Sequence, residues 1–234
     1  MLNELMAFRL MSWLMNAMQL SILLPMAIVW GRRRHYAAPM RSLSWYVYLS
    51  AFASLGAEFS APYFLPNNFA FTFGFNLGKV ALFGWVYSQV LTSPRLRQLI
   101  VSAVILALLG MFGTFVYEPL LGMAVARVTQ CALLAAFAIL YLDQYFNQKA
   151  PRTASQDPFW LLSVGQLIYS AGTVTAFSLD YLTKTLYQQT SKYLFVAVAG
   201  LVFNYFLTMA FLRAKPASSS QEDYPASGSQ LASS

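Results

Sequence analysis

QLIVSAVILALLGMFGTFVY, residues 98–117, is a run of twenty residues without a charge, and a hydrocarbon layer about 30 Å thick needs roughly 20 helical residues per crossing. Working outward, six more apolar runs of similar length lie near Leu10 to Trp30, Met40 to Tyr63, Ala70 to Leu91, Leu121 to Tyr145, Phe159 to Leu182 and Lys192 to Leu212. Continuous apolarity predicts helices, because barrel strands would show about ten residues of alternating polarity. The expected fold is all-α: a polytopic bundle of seven transmembrane helices over residues 10–212. A short extracytoplasmic N-terminus, 1–9, precedes it, and a disordered cytoplasmic tail, 213–234, follows.

Composition agrees. The chain is 58% hydrophobic and only 10% charged, with a mean hydropathy of +0.53, whereas about a quarter of the residues of a soluble domain are charged. The tail, RAKPASSSQEDYPASGSQLASS, is too rich in Ser, Ala, Gly and Pro to bury the apolar area that ordering requires. The first run is longer than a signal-peptide core and ends in Arg32-Arg33-Arg34 rather than at a small-residue cleavage site, so it is expected to be retained.

Lys and Arg set the expected orientation, since cytoplasmic loops near helix ends carry the excess. Of fifteen such residues, ten fall on one face: Arg32, Arg33, Arg34, Arg41, Arg95, Arg97, Lys149, Arg152, Arg213 and Lys215. Arg9, Lys184 and Lys192 fall on the other, and Lys79 and Arg127 lie within helices. The N-terminus is therefore expected outside and the C-terminus in the cytoplasm. Trp30, Trp45, Trp85 and Trp160 sit at the predicted cytoplasmic ends, where amphipathic rings meet headgroups. The net charge of +7 is spread over short juxtamembrane loops and is accounted for by topology and anionic lipid, so no nucleic-acid partner is expected.

Ionisable groups inside a bilayer cost several kcal/mol and usually face a bundle interior or a water-filled cavity. Glu58, Asn76, Lys79 and Arg127 fall at similar depth in the outer halves of helices two, three and five. They are the candidate ligand-binding group, one carboxylate and two cations leaving a positive charge for an anion. The same residues also read as a structural Glu58–Lys79 ion pair, with Arg127 snorkelling to the interface. A second set, Gln166, Tyr169 and Asn204, lies in helices six and seven. Gln166 and Asn204 read either as an interhelical amide contact, worth about 0.6 kcal/mol, or as a polar relay. Gly110, Gly113, Ala132, Ala135, Ala136 and Gly165 are expected to let backbones approach.

Several chemistries are disfavoured. His35 is the only histidine and Cys131 the only cysteine, which leaves no metal centre and no disulfide framework. A retinal Schiff base would need a lysine midway along helix seven, and none is there. No phosphate-cradling glycine loop or paired-carboxylate motif occurs. No catalytic residue and no cofactor is therefore expected.

DPFWLLSVGQLIYSAGTVTAF, residues 157–177, and NYFLTMAFL, residues 204–212, resemble the end of a bacterial seven-helix membrane region found alone or N-terminal to sensor histidine kinases. Glu58 and Asn67-Asn68 extend the resemblance upstream, while helices one, four and five match only in hydropathy. The family commonly carries a second acid in helix three, where this chain has Lys79. Two nearby carboxylates would suit protons or cations, whereas Glu58 with Lys79 and Arg127 suits an anion or no ligand at all, so the exchange separates this chain from any ligand the family shares. The resemblance implies a multi-pass protein of the bacterial inner membrane, in contact with lipid, and a histidine kinase or other signalling protein acting in trans. The expected function is a sensory or accessory signalling module without its own output domain. The alternatives are a small-molecule or ion transporter, a lipid-binding membrane protein or, less in keeping with the residues, a membrane-embedded enzyme.

Overall fold

The structure is a computed structural model that describes residues 2–60, 69–148, 156–178 and 186–214. At several helix ends it describes the backbone alone, Glu58 and Lys192 among them. The Asn67-Asn68 loop, Lys149, Arg152, Lys184 and the tail from Lys215 onward lie outside the described residues.

Every element among the described residues is helical: α1 (Leu2–Ser21), α2 (Leu23–Arg32), a 3-10 turn (Arg33–His35), α3 (Ala38–Ser60), α4 (Phe69–Val90), α5 (Pro94–Tyr117), α6 (Pro119–Gln148), α7 (Pro158–Ser178) and α8 (Leu186–Arg213). Among the described residues four stretches are long and apolar enough to cross a membrane, namely Arg9–His35, Pro94–Tyr117, Pro119–Asn147 and Tyr193–Arg213. These mark an integral membrane protein. Helices α3, α4 and α7 turn polar side chains inward: Ser44 on α3, Asn76 and Lys79 on α4, and Ser163, Gln166 and Thr173 on α7 are all buried.

The first apolar run is two helices rather than one. Pro25 has no N–H and its ring crowds the carbonyl four residues earlier, and the helix breaks at Ile22, whose N–H turns to Gln19 O at 3.4 Å. The Met18 carbonyl, freed of its helical partner, accepts from Ser21 Oγ at 2.6 Å and from Asn204 Nδ2 at 3.2 Å.

The packing order closes the bundle. α1 and α2 lie on α8, α8 on α7, α7 on α6, and α4 is flanked by α3, α5 and α6, while α2 meets α3. Glycines fix the close approaches. A Cβ on Gly165 would stand 2.6 Å from Phe206 Cβ, and one on Gly172 would stand 2.7 Å from Ala199 Cβ, so α7 and α8 meet nearly backbone to backbone. Gly110 and Gly113 correct the sequence expectation, since nothing lies within 4 Å of a Cβ on either. They belong to the outward face of α5, with Leu106, Leu109 and Phe112 all exposed.

One end of the bundle carries the basic loops and is tied by side chains. Tyr36, after the 3-10 turn, donates to Phe211 O at 3.2 Å. Burial raises the pKa of its hydroxyl, opposed by Arg32, which keeps it a neutral donor. Gln144 Oε1 accepts from Thr92 N at 3.0 Å, and Tyr141 donates to both carboxylate oxygens of Asp157 at 3.0 Å. Asp157 also caps α7, accepting from Phe159 N at 2.9 Å and Trp160 N at 3.2 Å, ahead of Pro158 in the first turn. The acidic-Pro-Phe-Trp motif thus starts a helix.

Asp157→Ala removes the cap and leaves Tyr141 without its acceptor, so it should cost about 1–2 kcal/mol and lower the thermal unfolding midpoint in detergent. Gly110→Ala, placed in open space, should leave that midpoint unchanged or raised. The reverse order of effects would contradict this packing.

Candidate functional site: a caged lysine at the bundle centre

Lys79 is the eleventh residue of the 22 in α4, and it is 1% exposed. Phe75 and Phe83, one turn before and after it, share its helix face. The Lys79 Nζ lies 3.9 Å from the ring centroid of Tyr169, 5.0 Å from Phe203, 5.5 Å from Tyr46, 5.9 Å from Phe83 and 6.0 Å from Phe75. Four helices, α3, α4, α7 and α8, therefore supply ring faces to one ammonium. The rings also brace one another: Tyr46 meets Phe83 edge-on at 5.1 Å, and Tyr169 packs on Phe203 at 5.5 Å.

A desolvated cation over an aromatic face is stabilised by about 2 kcal/mol, less than the several kcal/mol that burying an unpaired ammonium costs. No carboxylate forms an ion pair with Lys79 among the described residues. Among the described residues the walls around Lys79 are thus ring faces rather than carboxylates.

Two buried polar atoms close in sequence to the Lys79–Tyr169 contact are also without hydrogen-bond partners, Asn76 Nδ2 and Gln166 Oε1, while Thr173 hydrogen-bonds to Tyr169. Asn76 stands one turn from Lys79 on α4 and Gln166 one turn from Tyr169 on α7, each on the helix face that carries the contact. Orphaned buried polar groups call for water or a ligand. A cavity of about 130 Å³ opens beside the cage, bordered by Tyr46, Ser50, Ser54, Tyr169, Phe203 and Asn204. That is room for several waters or a small head group.

Towards the basic end the cage is closed. Phe83, Tyr87, Leu134, Phe137, Leu162 and Leu207 are all 0–1% exposed, and the one polar link there, Tyr87 to Ser163 at 2.9 Å, satisfies itself.

The expected residues are arranged differently from the depth grouping. Lys79, from the outer set, and Tyr169, from the inner set, are in direct contact, because each lies near the middle of its helix. Arg127 stacks its guanidinium on Phe177 at 4.0 Å and lies within electrostatic reach of Tyr169 and Cys131. Glu58 lies in the last turn of α3 with its side chain outside the described residues. Gln166 and Asn204 have other partners than each other. Gln166 donates to Ser170 Oγ on its own helix at 3.0 Å, and Asn204 donates across to Ser21 Oγ at 2.7 Å and to Met18 O on α1.

Sequence reading missed Tyr46, Phe75, Phe83 and Phe203. The 75-79-83 spacing on α4 was legible as one face with a charge at its centre, but the partners on α3 and α8 depend on packing. No protein-family profile, curated protein or solved structure matches the chain.

Replacing a buried charge by an apolar side chain of similar volume is often neutral or stabilising. Lys79→Met should therefore fold and unfold at an equal or higher temperature than the wild type in detergent. Loss of folded protein would mean that the ammonium is required for assembly.

Proposed function

We propose that the protein is a seven-crossing membrane protein with its N-terminus outside and its C-terminus in the cytoplasm. In this reading it is a sensory or accessory signalling module whose state is set by a small anionic ligand at Lys79. The carrying observation is a lysine side chain buried among rings from four helices, four of whose rings also border a cavity, with unpartnered polar atoms of Asn76 and Gln166 nearby in sequence. Burying an ionisable group there costs stability, which is characteristic of a functional group.

Seven crossings are supported by length: α3, α4 and α7 have 23, 22 and 21 residues, about 32–35 Å at 1.5 Å per residue. The orientation is supported by the basic loops gathered at one end of the bundle. A bound anion would press on Tyr169 and Phe203, and so on the glycine-packed contact between α7 and α8, whose basic ends would carry the change to a partner. The resemblance of residues 157–177 and 204–212 to kinase-associated membrane regions supports a histidine kinase in trans and a bacterial cytoplasmic membrane. The closed aromatic floor below the cage favours signalling over transport, since a carrier would have to open it on every cycle.

Two experiments on the full chain test this. Cross-linking in native membranes, with an affinity tag after Ser234, should capture a histidine kinase or response regulator and lose it in Asn204→Ala. Purified protein in liposomes should catalyse no anion flux. Flux abolished by Lys79→Met, with no signalling protein captured, would contradict the proposal and establish transport.

A further inference from the structure

A larger cavity than the one beside the cage, about 720 Å³, opens at the basic end of the bundle and is bordered by Trp30, Arg33, Arg34, His35, Arg41 and Tyr48. Arg33, Arg34 and His35 follow one another through the 3-10 turn, and Arg41 comes from the first turn of α3. No carboxylate borders the cavity among the described residues. Among those residues, too, no hydrogen bond or ion pair engages the guanidinium of Arg33, Arg34 or Arg41.

Arg33 is held by stacking. Its Cζ lies 4.0 Å from the ring centroid of Trp45 and 5.4 Å from that of Tyr48, and those two rings meet edge-on at 6.0 Å. Stacking occupies the flat face of a guanidinium and leaves its N–H edge for an anion with paired oxygens. The place of the cavity is equally specific, because the apolar stretch Arg9–His35 ends at it. Trp30 and Trp45, 76% and 53% exposed, mark the level where indole rings meet lipid head groups. From Trp45 the outward face of α3 runs on through Phe52 and Leu55, both exposed and in helical register with it.

We propose that this cavity binds the phosphodiester head of an anionic glycerophospholipid, whose acyl chains lie along the outward face of α3. Phosphate oxygens match the guanidinium forks in two-point contact, and basic pockets at helix ends are where anionic head groups bind. A zwitterionic head would bring an ammonium to three arginines, with no carboxylate in the lining to receive it. A water-borne phosphate would leave the apolar face of α3 unused. Occupancy bears on the next residue, Tyr36, which fastens the turn to Phe211 O of α8. Anionic lipid would thus set how firmly the first helices are tied to the last. The site stands apart from Lys79 and does not rest on the anion reading there.

The test uses the full chain in mild detergent, titrated with phosphatidylglycerol, phosphatidylcholine or inorganic phosphate, with bound molecules counted by native mass spectrometry. A photoactivatable phosphatidylglycerol in nanodiscs maps the contact. Phosphatidylglycerol is expected to be held at least tenfold more tightly than phosphatidylcholine, to label residues 30–48, and to resist a large excess of inorganic phosphate. Arg33→Gln and Arg41→Gln should each weaken it about tenfold, and Trp45→Leu, which removes the brace on Arg33, should weaken it as well. Arg41 is exposed, so its variant serves if Arg33→Gln does not fold. Arg95→Gln, in another basic turn, should change binding less than about twofold, since its charge acts only at a distance. Equal losses in Arg95→Gln and the cavity variants, or equal retention of the two lipids, would reduce the effect to diffuse attraction and overturn the site. Displacement of the lipid by inorganic phosphate would overturn the lipid assignment in favour of a soluble phosphate compound.

Discussion

An ammonium placed halfway along a helix in the core of an apolar bundle has to be surrounded by something other than hydrocarbon, and here the surroundings are aromatic faces. Each ring returns only part of the hydration that the charge gives up, so several must converge, and they can converge only if α3, α4, α7 and α8 are brought to one level. Lys79 therefore organises the centre of the bundle. Tyr46, Phe83, Tyr169 and Phe203 serve at once as core packing and as the wall of the cage.

The other devices in the fold hold that centre in register. Asp157 begins α7 at a fixed residue and is gripped by Tyr141 of α6, which sets the height of Tyr169 three turns later. Gly165 and Gly172 let α8 lie against α7 closely enough for Phe203 to reach the same ammonium. Asn204, the next residue, reaches the other way and satisfies the carbonyl that the Pro25 break releases on α1. The cage and the break in the first helix are thus joined through two adjacent residues of α8.

Much of this was legible before any coordinates. Helix positions followed from apolar runs and the punctuation of Pro and charge, and most helix ends moved by only a few residues, although the first helix begins at Leu2 rather than Leu10 and the last at Leu186 rather than Lys192. Asn76, Lys79, Gln166, Tyr169 and Asn204 stood out because polar groups in apolar runs are costly. Their partners did not. Depth alone placed Lys79 with Arg127, whereas the rotation of α6 turns Arg127 onto Phe177. Gln166 and Asn204 shared a depth but met Ser170 and the broken first helix instead. The break itself could be read from Pro25, yet its use as an acceptor for Asn204 depends on which helix packs beside it. Small residues misled on α5: Gly110 and Gly113 permit close approach, but a close approach also needs a neighbour, and that face of α5 has none.

The central claim is that the Lys79 ammonium rests against Tyr169 in the interior of the bundle. It is tested most directly by solid-state NMR in bilayers, through the dipolar coupling between lysine ¹⁵Nζ and tyrosine ring ¹³C, with Lys79→Met as the reference for the remaining lysines. The account predicts a coupling, lost in the variant, that fits Nζ lying 3.9 Å from the Tyr169 ring centroid. A spectrum with no lysine–tyrosine coupling attributable to Lys79 would show the ammonium turned away from Tyr169, and the cage would not exist.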